Sequence, residues 1–301
     1  MAGVRVMITG AAGFVGGHLV PRLKAEGYEI DASDRELDVA DPAVVEARVA
    51  AVRPEAIIHL AAVSSVPASR REPGLTYRVN YLGARTVLEA ARRVVPGARV
   101  LLVSTADMYG SVPPGSEPFS EESPLRPGSP YARSKAAADL LGGAFAARGL
   151  DVVRVRPFNH TGPGQTDVFV LPSFARQVAA IEAGACEPVI RVGNLVSVRD
   201  FLDVEDVIDA YVRLLDPGVP ANLYNVASGT GVRIGDALRS LCELAGITPR
   251  LEVNPDFFRP TDTAVGRAVR LRAAARWEPR VSFRQTLERL LDDWRERIGA
   301  S

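Results

Sequence analysis

The sequence predicts an α/β fold with a doubly wound parallel sheet, because strand-like and helix-like segments alternate along the chain from its first residues. The segment from Val4 to Ile8 has β-branched residues at alternate positions, and apolar residues recur at helical spacing from Val15 to Leu23. A glycine-rich turn joins these two segments. With 301 residues, the chain is long enough for one large or two medium domains.

The composition is that of an ordinary globular protein, with 47% hydrophobic and 24% charged residues. The 36 basic and 36 acidic residues cancel, so no net charge favours binding to nucleic acid or to an anionic membrane. No apolar run approaches the ~20 residues of a membrane span, and no signal-peptide pattern begins the sequence. Cys186 and Cys242 are isolated, which predicts no metal site. We therefore expect a cytoplasmic protein.

The glycine turn runs from Gly10 to Gly16, with glycines at positions 10, 13 and 16 and with Phe14 and Val15 opening the helix. Glycines allow the backbone to turn tightly and to approach a pyrophosphate, and the helix N-terminus offers free N–H groups to it. A glycine motif alone is weak evidence, and a turn that binds no ligand is the alternative. Because this turn opens a strand–turn–helix unit, we favour a dinucleotide-binding loop.

A second predicted strand, from Tyr28 to Ser33, ends at Asp34, 24 residues after Gly10. An acidic residue about 20 residues after the glycine turn binds the adenosine ribose hydroxyls of NAD and repels the 2′-phosphate of NADP. Arg35 opposes this preference, because a guanidinium can bind that phosphate. The alternative for Asp34 is a solvated turn residue. We expect NAD(P)H as the cofactor, with a modest preference for NADH.

The alternation continues through a helix over 42–52, a strand over 56–62, a long helix over 73–94 and a strand over 99–103. The third strand leads into Leu60, Ala61 and Ala62, a small-residue turn that would pass over the cofactor. His59 lies inside this strand, so we interpret it as a packed core residue rather than a base.

A predicted helix from Pro130 places Tyr131 and Lys135 on one face, four residues apart. The unperturbed phenol pKa of ~10 is too high for proton transfer at neutral pH. An ammonium ~4 Å away, at an effective dielectric of ~20, contributes on the order of 4 kcal/mol, which would lower the phenol pKa by about three units. Lys135 is one of only two lysines among 36 basic residues. Together with Thr105 beyond the preceding strand, this spacing predicts a catalytic pair.

The second half of the chain begins after a predicted strand over 152–156, with a Pro/Gly-rich turn over 157–165 where cofactor and substrate would meet. We assign no chemistry to His160 in that turn. Arg199 and Arg259 lie in short predicted connections, where they could form surface ion pairs or bind a diphosphate. The remaining elements are helices over 170–183, 204–215, 234–245 and 282–297, with strands over 189–192 and 223–227.

These residues together resemble the extended short-chain dehydrogenase/reductases that act on nucleotide-diphosphate sugars. The positions that carry the resemblance run almost from end to end: the Gly10 turn, Asp34, Asp38-Val39, the run from His59 to Ala62, Asn80, Thr105, Tyr109-Gly110, Tyr131 with Lys135, Asn159, Arg199 and Arg259. Within this family, Arg156 to Gln165, Phe169-Val170 and Val192 to Leu195 resemble the GDP-4-keto-6-deoxy-mannose reductases.

The resemblance implies a Rossmann domain over residues 1–160 and a smaller sugar-nucleotide domain over 161–301, with 199–226 packing back on the first. It assigns Thr105, Tyr131 and Lys135 to catalysis. It assigns cofactor binding to Gly10, Gly13, Phe14, Val15, Asp34, Arg35, Asp38, Val39, Leu60, Ala61, Ala62, Asn80, Tyr131, Lys135 and Pro157. It assigns substrate binding to Ser64, Thr105, Asp107, Asn159, Phe169, Val170, Arg199 and Arg259. It also implies a homodimer through the 73–94 and 130–148 helices.

The implied reaction is reduction of the C4 ketone of a nucleotide-diphosphate 4-keto-6-deoxy sugar, with GDP favoured as the nucleotide and GDP-rhamnose as the product. A GDP-mannose 4,6-dehydratase and a nucleotide-sugar 4-epimerase are alternatives within the family. Related dehydratases have an acidic residue directly after the threonine, where this chain has Ala106 and then Asp107. A non-catalytic NAD(P)-binding sensor is the alternative from another class, and the intact set of Thr105, Tyr131 and Lys135 argues against it.

Overall fold

The computed structural model describes residues 3–254 and 262–299. Its strands are β1 (Arg5–Thr9), β2 (Glu29–Ser33), β3 (Ala56–His59), β4 (Arg99–Val103), β5 (Val152–Pro157), β6 (Asn159–Thr161), β7 (Val189–Val192), β8 (Val198–Asp203), β9 (Leu223–Val226), β10 (Gly231–Arg233), β11 (Arg250–Val253) and β12 (Thr263–Ala264). Its helices are α1 (Phe14–Ala25), α2 (Pro42–Val52), α3 (Val66–Arg71), α4 (Pro73–Tyr77), α5 (Gly83–Val94), α6 (Pro130–Ala146), α7 (Val170–Glu182), α8 (Val204–Leu214), α9 (Ile234–Ala245), α10 (Val269–Ala275) and α11 (Phe283–Gly299).

Six parallel strands form the central sheet in the order β2-β1-β3-β4-β5-β9. The order reverses beside β1, which is the doubly wound arrangement, so the predicted α/β fold class is confirmed. Alternate residues of β1 point to opposite faces: Val6 and Ile8 enter one apolar layer, and Met7 enters the other. Helices α1 and α8 cover the first face, and α2 and α5 cover the second.

Several elements begin where the local sequence predicts. Asp41 caps α2 by accepting hydrogen bonds from the N–H groups of Ala43 and Val44, and Pro42 occupies the first helical position. Ser129 caps α6 in the same way, through the N–H of Ala132. The long helix predicted over 73–94 is interrupted by a π-helical turn over 78–82, and α3 precedes it.

The second half of the chain builds smaller sheets. Strand β8 pairs with β6, β10 and β12, and β7 pairs with β11. A third apolar cluster joins α7, α9 and α11. Residues 198–203 therefore form β8, a strand of a separate sheet. The prediction of a short connection around Arg199 is wrong.

The chain then returns to the first half, because α8 packs against α1 and β9 pairs with β5 in the central sheet. The division into domains at residue 160 stays a prediction. No helix within residues 3–254 and 262–299 is long and apolar enough to cross a membrane.

Candidate active site

The glycine turn follows β1 and packs against the segment that follows β3. Gly10 has a φ of +74°, and a Cβ atom there would lie 2.7 Å from the Ala61 nitrogen. A Cβ atom at Gly16 would lie 2.3 Å from the Ala11 carbonyl oxygen. Glycine at both positions lets the backbone of the turn pack closely against its neighbours, which keeps the start of α1 at the end of the sheet.

The start of α1 fits a phosphate ligand. Gly13 is its N-cap, with an extended backbone, and no side chain caps the helix or places a negative charge in its first turn. The first N–H groups of a helix have no intrahelical partner, and the helix dipole adds partial positive charge there. These groups suit the pyrophosphate of a dinucleotide, which is the ligand that the glycine spacing predicts.

A cleft of about 1010 Å³ runs from this turn along the carboxyl ends of the parallel strands. Pockets for drug-sized ligands measure roughly 300–1,000 Å³, so this cleft has room for a larger ligand. Most predicted site residues line it: Gly10, Gly13, Phe14, Val15, Asp34, Arg35, Asp38, Val39, Leu60, Ala61, Ala62, Ser64, Thr105, Asp107, Tyr131, Lys135, Pro157, Asn159, Phe169 and Val170.

Asp34 and Asp38 lie at the end of the cleft next to β2. Asp34 directly follows that strand, and its backbone N–H donates to the Glu36 carboxylate at 2.7 Å. Asp38 accepts a hydrogen bond from the N–H of Ala40 and pairs with Arg78, and both contacts lower its pKa. Arg35 is exposed beside them. This end of the cleft therefore has both a carboxylate and a guanidinium in its lining.

Thr105, Tyr131 and Lys135 meet where β4 ends. The Thr105 hydroxyl accepts the N–H of Asp107 at 3.2 Å and lies close enough to the Tyr131 phenol to lower its pKa. Lys135 is only 3% exposed, and its ammonium donates to the Val103 carbonyl oxygen. The Ser104 hydroxyl donates to the Lys135 carbonyl oxygen at 3.3 Å, which joins β4 to α6. The structure therefore brings the three predicted catalytic residues together.

The expected lowering of the Tyr131 pKa by Lys135 is wrong for this structure. Burial raises the Tyr131 pKa above its ordinary value, the Asp107 carboxylate raises it further, and only the Thr105 hydrogen bond lowers it. The Lys135 ammonium instead donates to the Val103 carbonyl, and burial lowers the Lys135 pKa to about 8. The free-energy cost of charging a buried phenol thus outweighs any stabilisation of the phenolate by a lysine one helical turn away. At neutral pH the phenol carries its proton.

A buried ion pair supports α6 one turn beyond Lys135. Asp139 and Arg156 are almost fully buried, and one carboxylate oxygen lies 2.6 Å from the guanidinium. Arg156 also donates to the Tyr109 hydroxyl at 3.0 Å, and that hydroxyl donates to Asn225 at 2.7 Å. This network joins α6, β5 and β9 beneath the catalytic residues. The Asp139 charge also raises the Lys135 pKa, although by less than burial lowers it.

Asp107 lies in the cleft wall beside Tyr131. Burial raises its pKa, and the nearby Arg199 guanidinium lowers it by a smaller amount. Arg199 itself pairs with Asp262 at 2.5 Å and donates to the Val198 carbonyl at 2.9 Å. Arg199 thus lies in β8, held by an acidic partner, and does not line the cleft. Arg259 lies outside the described residues.

Two other polar residues have structural partners. Asn80 does not line the cleft: it is buried in the π-helical turn and bonds Val63 and the Ser134 hydroxyl, so it supports the turn that follows β3. The His59 ring hydrogen-bonds the Thr9 hydroxyl at 2.8 Å, and burial lowers its pKa to about 3. His59 is a neutral core residue, as its place within β3 predicted.

Two residues of the cleft wall carry no functional signal in the sequence. Phe201 in β8 and Tyr211 in α8 both line it, yet each follows the apolar pattern of an ordinary core residue. No local signal distinguishes them. Among the described residues, no group of three or more His, Cys, Asp or Glu side chains could hold a metal ion.

Comparison with known proteins gives consistent matches. The model of the NAD dependent epimerase/dehydratase family matches residues 6–227. GDP-6-deoxy-D-mannose reductase of Pseudomonas aeruginosa is 35% identical over 98% of this chain and 98% of its own length. The structure of RMD from Pseudomonas aeruginosa complexed with NADPH covers 98% of this chain and 99% of that chain, at 34% identity and a TM-score of 0.90. The Thermus thermophilus UDP-glucose 4-epimerase in complex with NAD is 31% identical, with a TM-score of 0.85 over 97% of this chain and 99% of that chain.

Proposed function

Because the chain belongs to the NAD dependent epimerase/dehydratase family, we propose that it reduces the C4 ketone of a nucleotide-diphosphate 4-keto-6-deoxy sugar with NAD(P)H. The observation that carries the proposal is that Thr105, Tyr131 and Lys135 line one cleft, which begins at a helix N-terminus suited to a dinucleotide. The protein is an NAD(P)-dependent oxidoreductase that acts on a nucleotide sugar, as its relatives are.

In this reaction Tyr131 is the acid. The bound dinucleotide supplies the hydride. Thr105 orients the ketone oxygen by hydrogen bonding, and Tyr131 protonates the oxygen as negative charge develops on it. Lys135 is positively charged below its pKa of about 8, and its ammonium donates to the Val103 carbonyl, which holds α6 at the end of β4 where Thr105 follows. At neutral pH the phenol holds the proton that it must give, because its pKa lies above the neutral range.

The finer assignment is GDP-4-keto-6-deoxy-mannose as substrate and GDP-rhamnose as product. It is supported by the 35% identity to the Pseudomonas aeruginosa reductase across nearly the whole of both chains. Phe169 and Val170 are part-exposed on the cleft, beside the Pro/Gly-rich turn that resembles these reductases. A 6-deoxy sugar carries a methyl group at C6, which suits apolar neighbours of this kind.

A 4,6-dehydratase is the second candidate, and Asp107 is the observation that favours it. Dehydration requires removal of the C5 proton and loss of the C6 hydroxyl, so the site must supply an acid or base beyond Tyr131. Asp107 faces the cleft near Tyr131, and its raised pKa is a property of catalytic acids. Aspartate is one methylene shorter than glutamate, however, and Ala106 cannot ionise. Reduction needs neither residue.

Two assays distinguish the candidates. A reductase oxidises NAD(P)H when GDP-4-keto-6-deoxy-mannose is added, and the C4 configuration of the product is read by NMR. A dehydratase forms a 4-keto product from GDP-mannose and the oxidised cofactor. We expect the first result without the second, with Tyr131→Phe inactive as the control. The opposite pair of results would reassign the chain as a dehydratase with Asp107 as its extra acid or base.

A further inference from the structure

Tyr211 lies in the middle of α8 and is completely buried, yet its hydroxyl has no hydrogen-bond partner among the described residues. Tyr109 and Tyr224 are equally buried and show the usual arrangement. The Tyr109 hydroxyl donates to Asn225 at 2.7 Å, and the Tyr224 hydroxyl donates to the Pro220 carbonyl at 2.8 Å. Buried hydroxyls without a partner are rare, because the lost contact with water is not replaced. The Tyr211 hydroxyl therefore requires an explanation.

The position of Tyr211 provides one, because this residue lines the cleft. A ligand in the cleft with a complementary group would supply the partner that this hydroxyl lacks among the described residues. Phenylalanine would fill the same apolar volume without leaving a polar atom unpaired. The hydroxyl thus lowers the stability of the ligand-free protein and is positioned to contribute when the cleft is filled.

The surroundings of Tyr211 indicate which ligand it meets. Helix α8 packs against α1, the helix that starts at the glycine turn, and Tyr211 belongs to the apolar cluster that contains Ala11 of that turn. The same cluster includes Ala106, next to Thr105. Tyr131 is close enough to raise the pKa of Tyr211. Tyr211 therefore lies near Tyr131, on a helix that packs against the helix that starts at the glycine turn.

We propose that the Tyr211 hydroxyl hydrogen-bonds the carboxamide of the nicotinamide and so helps to hold the reacting end of the cofactor. This inference rests on the proposed function, because it assumes a nicotinamide dinucleotide in the cleft. A carboxamide offers both a donor and an acceptor, and a hydroxyl can pair with either. Tyr211 is then a cofactor-binding residue contributed by a helix that follows the Pro/Gly-rich turn by some forty residues of sequence.

The first test compares the binding of two ligands to wild type and to Tyr211→Phe by isothermal titration calorimetry. NADH carries the nicotinamide, whereas ADP-ribose has the adenosine, the pyrophosphate and the second ribose but no nicotinamide. We expect about tenfold weaker binding of NADH to the variant, the size of one lost hydrogen bond, and unchanged binding of ADP-ribose. Equal weakening for both ligands, or no weakening for either, would overturn the inference.

The second test measures the melting temperature of the ligand-free proteins. Tyr211→Phe should melt at the wild-type temperature or above it, because no hydrogen bond is lost. Tyr224→Phe is the matched control: it should melt at a lower temperature and should bind NADH as wild type does. If Tyr211→Phe melts as low as this control, the hydroxyl has a structural partner and the inference fails. Wild-type protein that binds neither NADH nor NADPH would overturn the proposed function as well.

Discussion

Gly16 and Ala11 lie so close together that a Cβ atom at Gly16 would be 2.3 Å from the Ala11 carbonyl oxygen. The neighbouring Gly17 is also in α1, but a Cβ atom there would have nothing within 4 Å. The two glycines thus form a matched pair for testing the glycine turn.

We expect Gly16→Ala to lower the free energy of unfolding by about 1–3 kcal/mol and to weaken cofactor binding, because the turn must move to admit the methyl group. Gly17→Ala should stabilise the protein by up to about 1 kcal/mol, because alanine favours the helix. Urea unfolding and NADH titration of both variants measure these effects. Similar values for the two variants would mean that the turn tolerates displacement.

Tyr131→Phe should keep cofactor binding and lose most turnover, because the substitution removes the proton donor and leaves the ring. General acid catalysis contributes ~10²–10⁴-fold to a rate, so kcat should fall by about that factor. Steady-state kinetics and NADH titration give the two values. Turnover within threefold of wild type would rule out Tyr131 as the acid.

Lys135 should make activity fall as the pH rises through about 8. Its pKa is lowered from 10.5 to about 8 by burial, so the ammonium loses its proton in that range. A profile of kcat/KM against pH should show this ionisation in the free enzyme, and Lys135→Met should lack it.

The effect of Lys135 on stability has the opposite sign. Between the folded pKa of about 8 and the ordinary value of 10.5, the unfolded chain binds more protons than the folded chain does. The contribution of Lys135 to the free energy of unfolding therefore rises with pH in this window. Urea unfolding at pH 7 and pH 10, compared between wild type and Lys135→Met, isolates this contribution. An equal pH dependence in both proteins would contradict the lowered pKa.

Asp34 should give a modest preference for NADH over NADPH, because its carboxylate repels the 2′-phosphate while Arg35 partly offsets the repulsion. Asp34→Ala should raise kcat/KM with NADPH relative to NADH, and Arg35→Ala should lower it. A strong preference for NADPH that Asp34→Ala leaves unchanged would identify Asp34 as a turn residue only.

The predicted homodimer should form through the helical surface of α4, α5 and α6. These helices pack beside one another through the π-helical turn, and Leu82 and Leu140 are 41% and 60% exposed there. Light scattering at micromolar concentration should report a dimer, and Leu140→Glu should shift it to the monomer. Val269→Glu is the control, because Val269 is also exposed but lies on α10. A monomeric wild-type protein would contradict the prediction.

Local sequence signals were sufficient for much of the central sheet. The bounds of α2 and β4 agree with the prediction because Asp41 and Pro42 mark the helix start and because continuous apolar residues mark a buried strand. Strand β8 was missed because its charged residues resemble a loop. In this strand, the Asp200 carboxylate accepts hydrogen bonds from the backbone N–H groups of Ser228, Gly229 and Gly266, which are distant in sequence.

The candidate site also has some features that the sequence predicts and others that it does not. The glycine turn and the pair of Tyr131 and Lys135 could be identified because each is a short motif. The Tyr131 pKa could not be predicted from spacing, because it depends on burial by the surrounding elements. Tyr211 has the helical apolar pattern of α8, and only the assembled fold shows that it lines the cleft and that its hydroxyl has no partner among the described residues.

The chain returns to the central sheet at β9, and this affects how the sheet folds during synthesis. During synthesis, β5 leaves the ribosome about seventy residues before the strand that pairs with its open edge. Until then, Arg99 also lacks the carbonyl oxygens of Leu214 and Asp216, to which it donates in the finished protein. A nascent chain of residues 1–160 therefore exposes a strand edge that other chains could pair with. The central sheet becomes complete only after residue 226 has emerged.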